Sequence, residues 1–501
     1  MDSNRTALRV AKETSFGVAP ANPVYKEVRR TSDALSFTPT NEVSAEIDPT
    51  RQINDLINTG RDAGGDMAME HSIENMDVFL EGLFCNNWLR TPEVANGAHW
   101  EYGASATRIS SVSATAITLA ASSVLAGSQN NATGTAFVAN MLIRNTGYGV
   151  AANNGLFPIT GNTATTIVGT FTVEASPPAT ARTKVVGFQG ASGDIVATIT
   201  GGSALTSTTL NFTTLGLIVG QWVKISNEGG NYSFGTAANN GFARISAIAA
   251  NRLSFDITQG VFTADTGTGK TIRVYYGDTI RTGTSQFTYR VEKEYTLAAG
   301  QRWSYASGQQ PSAFSLTAET RGVVTSTLTW MGADLSAPSA TRDAGAATEA
   351  ISTNSVLDAS NSVPMIMEAG APMGAPNYVS GFAFTLDNGL RARNGIGSAG
   401  AVGLGLGRAA ITGTLTTYFG DETLLNKLRN TTASGVTIAF RDAANNCAEV
   451  WDIPRLKYTS GFPEVPGIDT DLTTPLGFQA LRDIANSRDY TLLLSRFDYC
   501  L

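Results

Sequence analysis

The 501 residues contain two histidines, His71 and His99. Neither stands in an HExxH pair or beside a glycine-flanked serine, so their spacing offers no zinc site and no acyl-transfer relay. His71 comes directly before an apparent helix start and reads as a solvent-exposed neighbour of its cap. GLGLG at residues 403–407 has the glycine density of a phosphate cradle. No Lys-Ser/Thr follows it, and the next segment alternates like a strand, so no helix N-terminus would face an anion. Glu42, Glu46, Asp48, Asp55 and Asp62 are hard-cation ligands by type, yet they lack the tight alternation around a central glycine that a calcium loop uses, and they read as a solvated face. Cys85, Cys447 and Cys500 form an odd set without CxxC spacing, which suits buried thiols in a reducing compartment. Sequon matches at Asn131 and Asn211 carry meaning only in a secreted chain. The expectation is no enzyme, no cofactor and no metal.

Composition points the same way. The chain carries 42 acidic and 35 basic residues, a net charge of −7, which argues against gripping nucleic acid through its phosphates. No basic patch with interleaved aromatics is present. Charged residues make up 15%, well below the usual quarter or so, so much of the surface must be uncharged hydroxyl and amide. With 42% apolar residues the chain is nevertheless not disordered by composition. The N-terminus has no continuous apolar stretch and no run approaches the length of a spanning helix, so a cytosolic, non-membrane protein is expected.

The elements are organised around residues 378–428. Phe382, Phe384 and Leu386 share one face of a strand, and Ile411, Leu415 and Phe419 share one face of a second, with small or polar residues opposite. Gly420 and Asp421 then cap a short helix with Leu424, Leu425 and Leu428 on one side. Two apolar faces of this kind are best buried against a second sheet and a helix, which predicts an α+β sandwich. Further strands are expected at FTYRVEKEYT, GVVTSTLTWMG and the residues from 436 onward. The clearest helix spans HSIENMDVFLEGLFCNNW, with Ser72 as N-cap and Ile73, Met76, Phe79, Leu80, Leu83 and Phe84 as its stripe. Burying Phe79 alone is worth roughly 1.5–3 kcal/mol. Residues 41–65 are polar, with alternating Val43, Ala45 and Ile47 but little bulk, and too long for an ordinary connection, so they read as an extended hairpin arm.

Residues 104–280 differ: nine basic and six acidic residues, with long uncharged runs. AANNG at 151–155 recurs at 237–241, and NMLIRN at 140–145 parallels QWVKIS at 221–226. Two tandem β modules, 104–189 and 190–280, are predicted inside a split core of residues 1–100 and 284–501.

The core resembles the major tail tube proteins of long-tailed bacteriophages. The likeness rests on KETSFGVAP (12–20), the arm from Arg51, the helix region 72–88, FTYRVEKEY, SAFSLTAETRGVVTSTLTWMG, a GRxxxxGTL strand (Arg408, Gly413, Thr414, Leu415) and RLKYTSGFPEVPGIDTDLTTPLGFQAL. It implies a mainly β subunit, an α+β core forming a tail-tube-like sandwich, whose six-fold rings close a β-barrel lumen and stack into the conduit for DNA ejection. The partners implied are copies of itself, a tape measure protein, tail completion and tip proteins, and genomic DNA passing without sequence-specific contact. The site is the virion tail, assembled in host cytoplasm. Arm residues Glu42, Glu46, Asp48, Arg51, Asp55, Arg61 and Asp62 are candidates for ring-to-ring or lumen contact. The inserted modules belong outside the tube, as decoration or for adhesion, an arrangement that suits a non-contractile tail. A β-rich surface adhesin or surface-layer protein is the competing reading, and it would need an export signal. A glycan-degrading spike would need paired carboxylates on a short-repeat solenoid.

Overall fold

The computed structural model describes residues 3–120, 136–463, 465, 467–484 and 488–501, and the Asn131 sequon lies outside them. The chain is mainly β, with two short α-helices among the described residues. Strand β1 (Thr6–Lys12) enters the main sheet, and β2 (Ser36–Val43) and β3 (Leu56–Glu70) form the arm as an antiparallel hairpin, Ser36 opposite Gly64 and Val43 opposite Leu56. The arm leaves the sheet at Gly64 and Gly65. A Cβ on Gly65 would lie 2.3 Å from the Ala34 carbonyl oxygen, and its φ of +145° is one that L side chains rarely adopt.

Helix α1 covers Asp77–Phe84 and is shorter than the sequence pattern implies. Ser72 is not its N-cap: it forms an isolated β-bridge with Val356, and Met76 occupies the cap position with no side-chain bond. Pairing with a strand segment distant in sequence has overridden the local signal. The stripe still lands as periodicity requires, with Phe79, Leu80, Leu83 and Phe84 buried and Phe79 edge-on to Trp330 at 5.3 Å. Phe79→Ala should therefore destabilise the fold by about 3–5 kcal/mol in urea unfolding. A loss under 1 kcal/mol would mean that this helix is not part of the main core.

The middle of the chain makes β4 (Met141–Thr146), β5 (Gly155–Pro158), β6 (Arg182–Gln189), β7 (Trp222–Ile225), β8 (Gly241–Ala249) and β9 (Arg273–Tyr275). They lie in one sheet in the order β5, β4, β6, β9, β7, β8, which reads the same from either side of the antiparallel β6/β9 pair. The two sequence repeats thus meet across an approximate two-fold axis and share one apolar cluster, including Ile143, Val185, Val223 and Val274. The AANNG repeat has a local cause. Asn153 donates to the Thr172 carbonyl and accepts from its N–H, as Asn239 does with Thr263, while Asn154 and Asn240 clasp the backbone of Tyr148 and Phe234. Each asparagine satisfies backbone groups that the loop would otherwise leave unpaired.

The last part supplies β10 (Tyr289–Leu297), β11 (Gly300–Glu319), β12 (Thr325–Gly332), β13 (Val379–Asp387), β14 (Ala410–Tyr418), α2 (Thr423–Arg429), β15 (Ser434–Asp442), β16 (Cys447–Ser460), β17 (Thr473–Ala480) and β18 (Leu493–Phe497). The long strand β11 pairs with β10 along its first half and with β12 and β13 along its second, so one chain passes from layer to layer. Between the layers Phe314, Phe382, Phe384, Ile411, Leu415, Trp451 and Phe478 pack into the main core. Phe419 lies one residue past β14 and is half-buried, because the strand ends at Tyr418. A third apolar cluster joins Trp222, Phe242 and Tyr275 of the middle segment to Val450, Leu493 and Phe497. The Arg244 guanidinium, 3.1 Å from buried Asp452, crosses the same junction.

Candidate assembly and channel surfaces

Strands β3, β12, β11, β13, β14, β17 and β16 lie side by side, and period-two alternation sends their large apolar residues inward. The residues left on the outer face are short and hydroxylated. One row across the sheet runs Ala68, Thr327, Ser315, Thr385, Thr412, Gln479, Lys457, and the next runs Glu70, Thr325, Thr317, Ala383, Thr414, Gly477. Charges sit at the margins: Asp66 and Glu70 on the first strand, Glu319 and Asp387 at opposite ends of β11 and β13, and Arg455 and Lys457 on the last strand. The middle of the face is neutral. It can offer hydroxyl hydrogen bonds to water but cannot hold phosphate as a fixed cation would.

The arm is the second surface. Its paired part reaches roughly 25 Å at the usual rise per residue. Glu42, Glu46, Arg51, Asp55, Arg61 and Asp62 are exposed along it, and Asp48, half-buried, accepts from the Thr50 N–H near the tip. Arg61 is tied to the core, by an ion pair to Asp334 at 2.7 Å and by its N–H, which donates to the Ala399 carbonyl of the glycine-rich crossing. Sequence reasoning noted the alternation of Val43, Ala45 and Ile47 in the polar arm, and the structure shows how far its apolar side chains are exposed. Ile47 is fully exposed, Ile53 is 73% exposed, and Phe37, Val43, Leu56 and Ile57 are each about half exposed. Among the described residues strand β2 pairs with β3 alone, which leaves its other edge without a strand partner there.

One of the two histidines is placed otherwise than expected. His71 is buried, not solvent-exposed: Nε2 lies 2.5 Å from Glu449 Oε1 and Nδ1 is 3.4 Å from Ser326 Oγ. No local signal finds this contact, since the partner is 378 residues away. The order Ser, His, Glu resembles an acyl-transfer relay in connectivity, but all three side chains are buried, so a substrate has no access to the hydroxyl. Burial pushes the Glu449 carboxyl up, and His71 and Arg496 beside it overcome this and bring it down to about 2. His99 stacks on Tyr102 at 4.1 Å, and burial holds it neutral, well below its ordinary value. GLGLG is no phosphate loop: residues Gly403–Gly405 pair as a strand with Arg391–Arg393.

A cavity of about 950 Å³ lies where the N-terminal segment, α1 and the middle segment meet, lined by Lys12, Glu81, Trp88, Arg90, Trp100 and Glu101 among others. Burial pushes the Glu101 carboxyl up to about 7 against the pull of Arg90, whose Nε is 2.6 Å away. The two carboxyls act in opposite senses. Between 4.5 and about 7 the folded state binds the Glu101 proton more tightly than the unfolded chain, so this group removes stability as pH rises through that window. Glu449 contributes stability above 4.5 that is lost as pH falls towards 2. Urea midpoints measured from pH 3 to 8 should show Glu101→Gln more stable than wild type at pH 8 and equal to it at pH 4. An unchanged difference across the range would contradict the assignment.

These are the fold and surfaces of a β-rich structural protein with an open edge and a neutral sheet face. Residues 3–220 and 227–480 match the family described as phage tail tube protein, and the chain belongs to that family, a structural component of the virion tail. No curated protein matches it. Both matched stretches extend into the middle segment, so that segment lies within what the family model covers.

Proposed function

We propose that this protein is a tail tube subunit that assembles with itself into stacked six-fold rings, the conduit through which DNA is ejected into the host. The observation that carries the reading is the neutral hydroxyl face of β12, β11, β13 and β14, which suits a lumen wall over which phosphates slide without being held. The exposed apolar residues and open edge of the arm suit contact with the next ring, where copies of the chain would cover them. A heterologous contact of this kind does not close and so propagates as a tube. Residues 1–100 and 284–501 form the ring-building core, and the two repeats, 104–189 and 190–280, are inserted into it and lie outside the tube. The role is non-enzymatic, a reading supported by the burial of Ser326, His71 and Glu449. Tape measure, completion and tip proteins are the further partners. Negative-stain imaging of the purified protein tests this: tubes with a central channel are expected, and monomers or closed small oligomers at high concentration would refute it.

A further inference from the structure

The glycine-rich crossing from β13 to β14, residues 388–409, contains Arg391, Arg393 and Arg408 and no Asp or Glu. All three arginines are exposed, and none of their guanidinium groups has a hydrogen-bond or ion-pair partner among the described residues. Arg391 and Arg393 stand two residues apart on one face of a short strand, over Gly405. A Cβ on that glycine would lie 3.4 Å from Arg393 Nε and 3.7 Å from Arg391 Nη2. Two guanidinium groups held side by side repel each other, and an acidic partner would relieve this. Ile396 of the same crossing is fully exposed, and Val402 is more than half exposed.

The loop from β16 to β17, residues 461–472, has the opposite character. Asp469 and Asp471 are exposed and their carboxylates have no partner among the described residues, while Phe462, Val465 and Ile468 beside them are 75%, 82% and 91% exposed. Strand register places the two surfaces at opposite ends of the sheet. The crossing joins Asp387 to Ala410, which are paired at the start of β14, whereas the loop enters β17 at Thr473, opposite Tyr418 at the end of β14. Nine residues of strand, about 30 Å at the usual rise, separate them, so they do not meet within one subunit. Each end has an opposing charge. Asp387 beside the crossing already accepts from the Gly389 N–H, and Arg321 at the far end has Glu319 two residues away. The positive end is also the end from which the arm leaves, since the Arg61 N–H at the arm's foot donates to the Ala399 carbonyl of the crossing.

We propose that these surfaces are the two halves of one stacking contact: the arginine crossing of one copy of this chain receives the Asp469 and Asp471 loop of the next, with Ile396 packing among Phe462, Val465 and Ile468. A contact between opposite ends of identical subunits does not close, so it propagates along an axis. Like charges facing each other reject the reversed orientation, which gives the stack a polarity. The proposal rests on the tube reading and names the surfaces that join its rings. Wild-type protein that forms no tubes would remove that reading, and wild-type tubes with variants that behave like them would remove this proposal alone.

The test is charge reversal in the full chain, read by sedimentation velocity and negative-stain imaging. A chain with Arg391→Glu and Arg393→Glu should form no tubes, because two acidic ends would then face each other. A chain with Asp469→Lys and Asp471→Lys should form none either, because both ends are then basic. The chain carrying all four substitutions restores opposite charges across the contact and should form tubes again, a recovery that damage to the fold would not produce. If a reversed chain melts below the wild type, neutral variants replace it: Arg391→Gln with Arg393→Gln, and Asp469→Asn with Asp471→Asn. Asparagine suits the positive φ of +58° at position 469. The concentration needed for tube formation should then rise by about tenfold or more, since a weak exposed pair is repeated in every copy around a ring. Tubes of normal length from either reversed chain, no tubes from the chain with all four changes, or neutral variants that assemble at the wild-type concentration would overturn the proposal.

Discussion

Replacing residues 44–55 by a two-residue Asn-Gly turn is expected to give a folded, soluble subunit that no longer forms tubes. The fold should survive because nothing removed belongs to the core: Met67 and Met69, which anchor β3, lie beyond the cut, as does the register of β3 against β12. Polymerisation should fail because the deletion takes away Ile47 and Ile53, whose exposure has no counterpart within the subunit. Apolar area left in water forgoes roughly 25 cal/mol per Å², so each buried isoleucine contributes about 1.5–3 kcal/mol to a contact, repeated in every copy around a ring. Sedimentation velocity should show a single small species with an unchanged circular dichroism melt. Tubes of normal length would remove the arm from the assembly mechanism, and an unfolded product would show that the arm belongs to the core.

The second large effect concerns the hydroxyl face. Thr385 and Thr412 are direct cross-strand partners, and Thr414 follows on the same face of β14. Changing all three to lysine places a cationic patch where the native face is neutral, without touching Phe384, Leu386, Ile411 or Leu415 beneath it. Tubes should still form. Short duplex DNA, which native tubes should leave in solution, should co-sediment with the variant at 50 mM salt and be released at a few hundred millimolar, since each phosphate neutralised steepens the salt dependence. In assembled particles DNA release should slow at least tenfold. Variant tubes that bind no DNA would mean that this face does not line the channel.

Much of this architecture can be read in the chain before folding, and the reasons for success and failure are physical. The alternation of Phe382, Phe384 and Leu386 against Ala383 and Thr385 is dictated within a few residues, so it identifies a half-buried strand in any context. The arm is legible because residues 41–65 are too polar and too long to be anything compact. What fails is whatever is decided at a distance. Ser72 has the chemistry of a helix cap and is taken by Val356, and His71 is drawn into the interior by Glu449. The repeat is visible as AANNG, but the strand pair β6/β9 that joins its halves is not, because neither strand reveals its neighbour. For the assembly surfaces, the hydroxyl face follows from counting threonines on one side of each strand. In the arm the alternation of Val43, Ala45 and Ile47 is legible, but its exposure is not, because that depends on whether a distant segment covers it.

The most direct test is a cryo-electron microscopy reconstruction of tubes assembled from the purified protein. Stacked six-fold rings are expected, with Thr385, Thr412 and Thr414 facing the channel, the arm reaching into the adjacent ring, and residues 104–280 projecting outward. A reconstruction with the hydroxyl face turned outward, or with the inserted repeats filling the lumen, would contradict it.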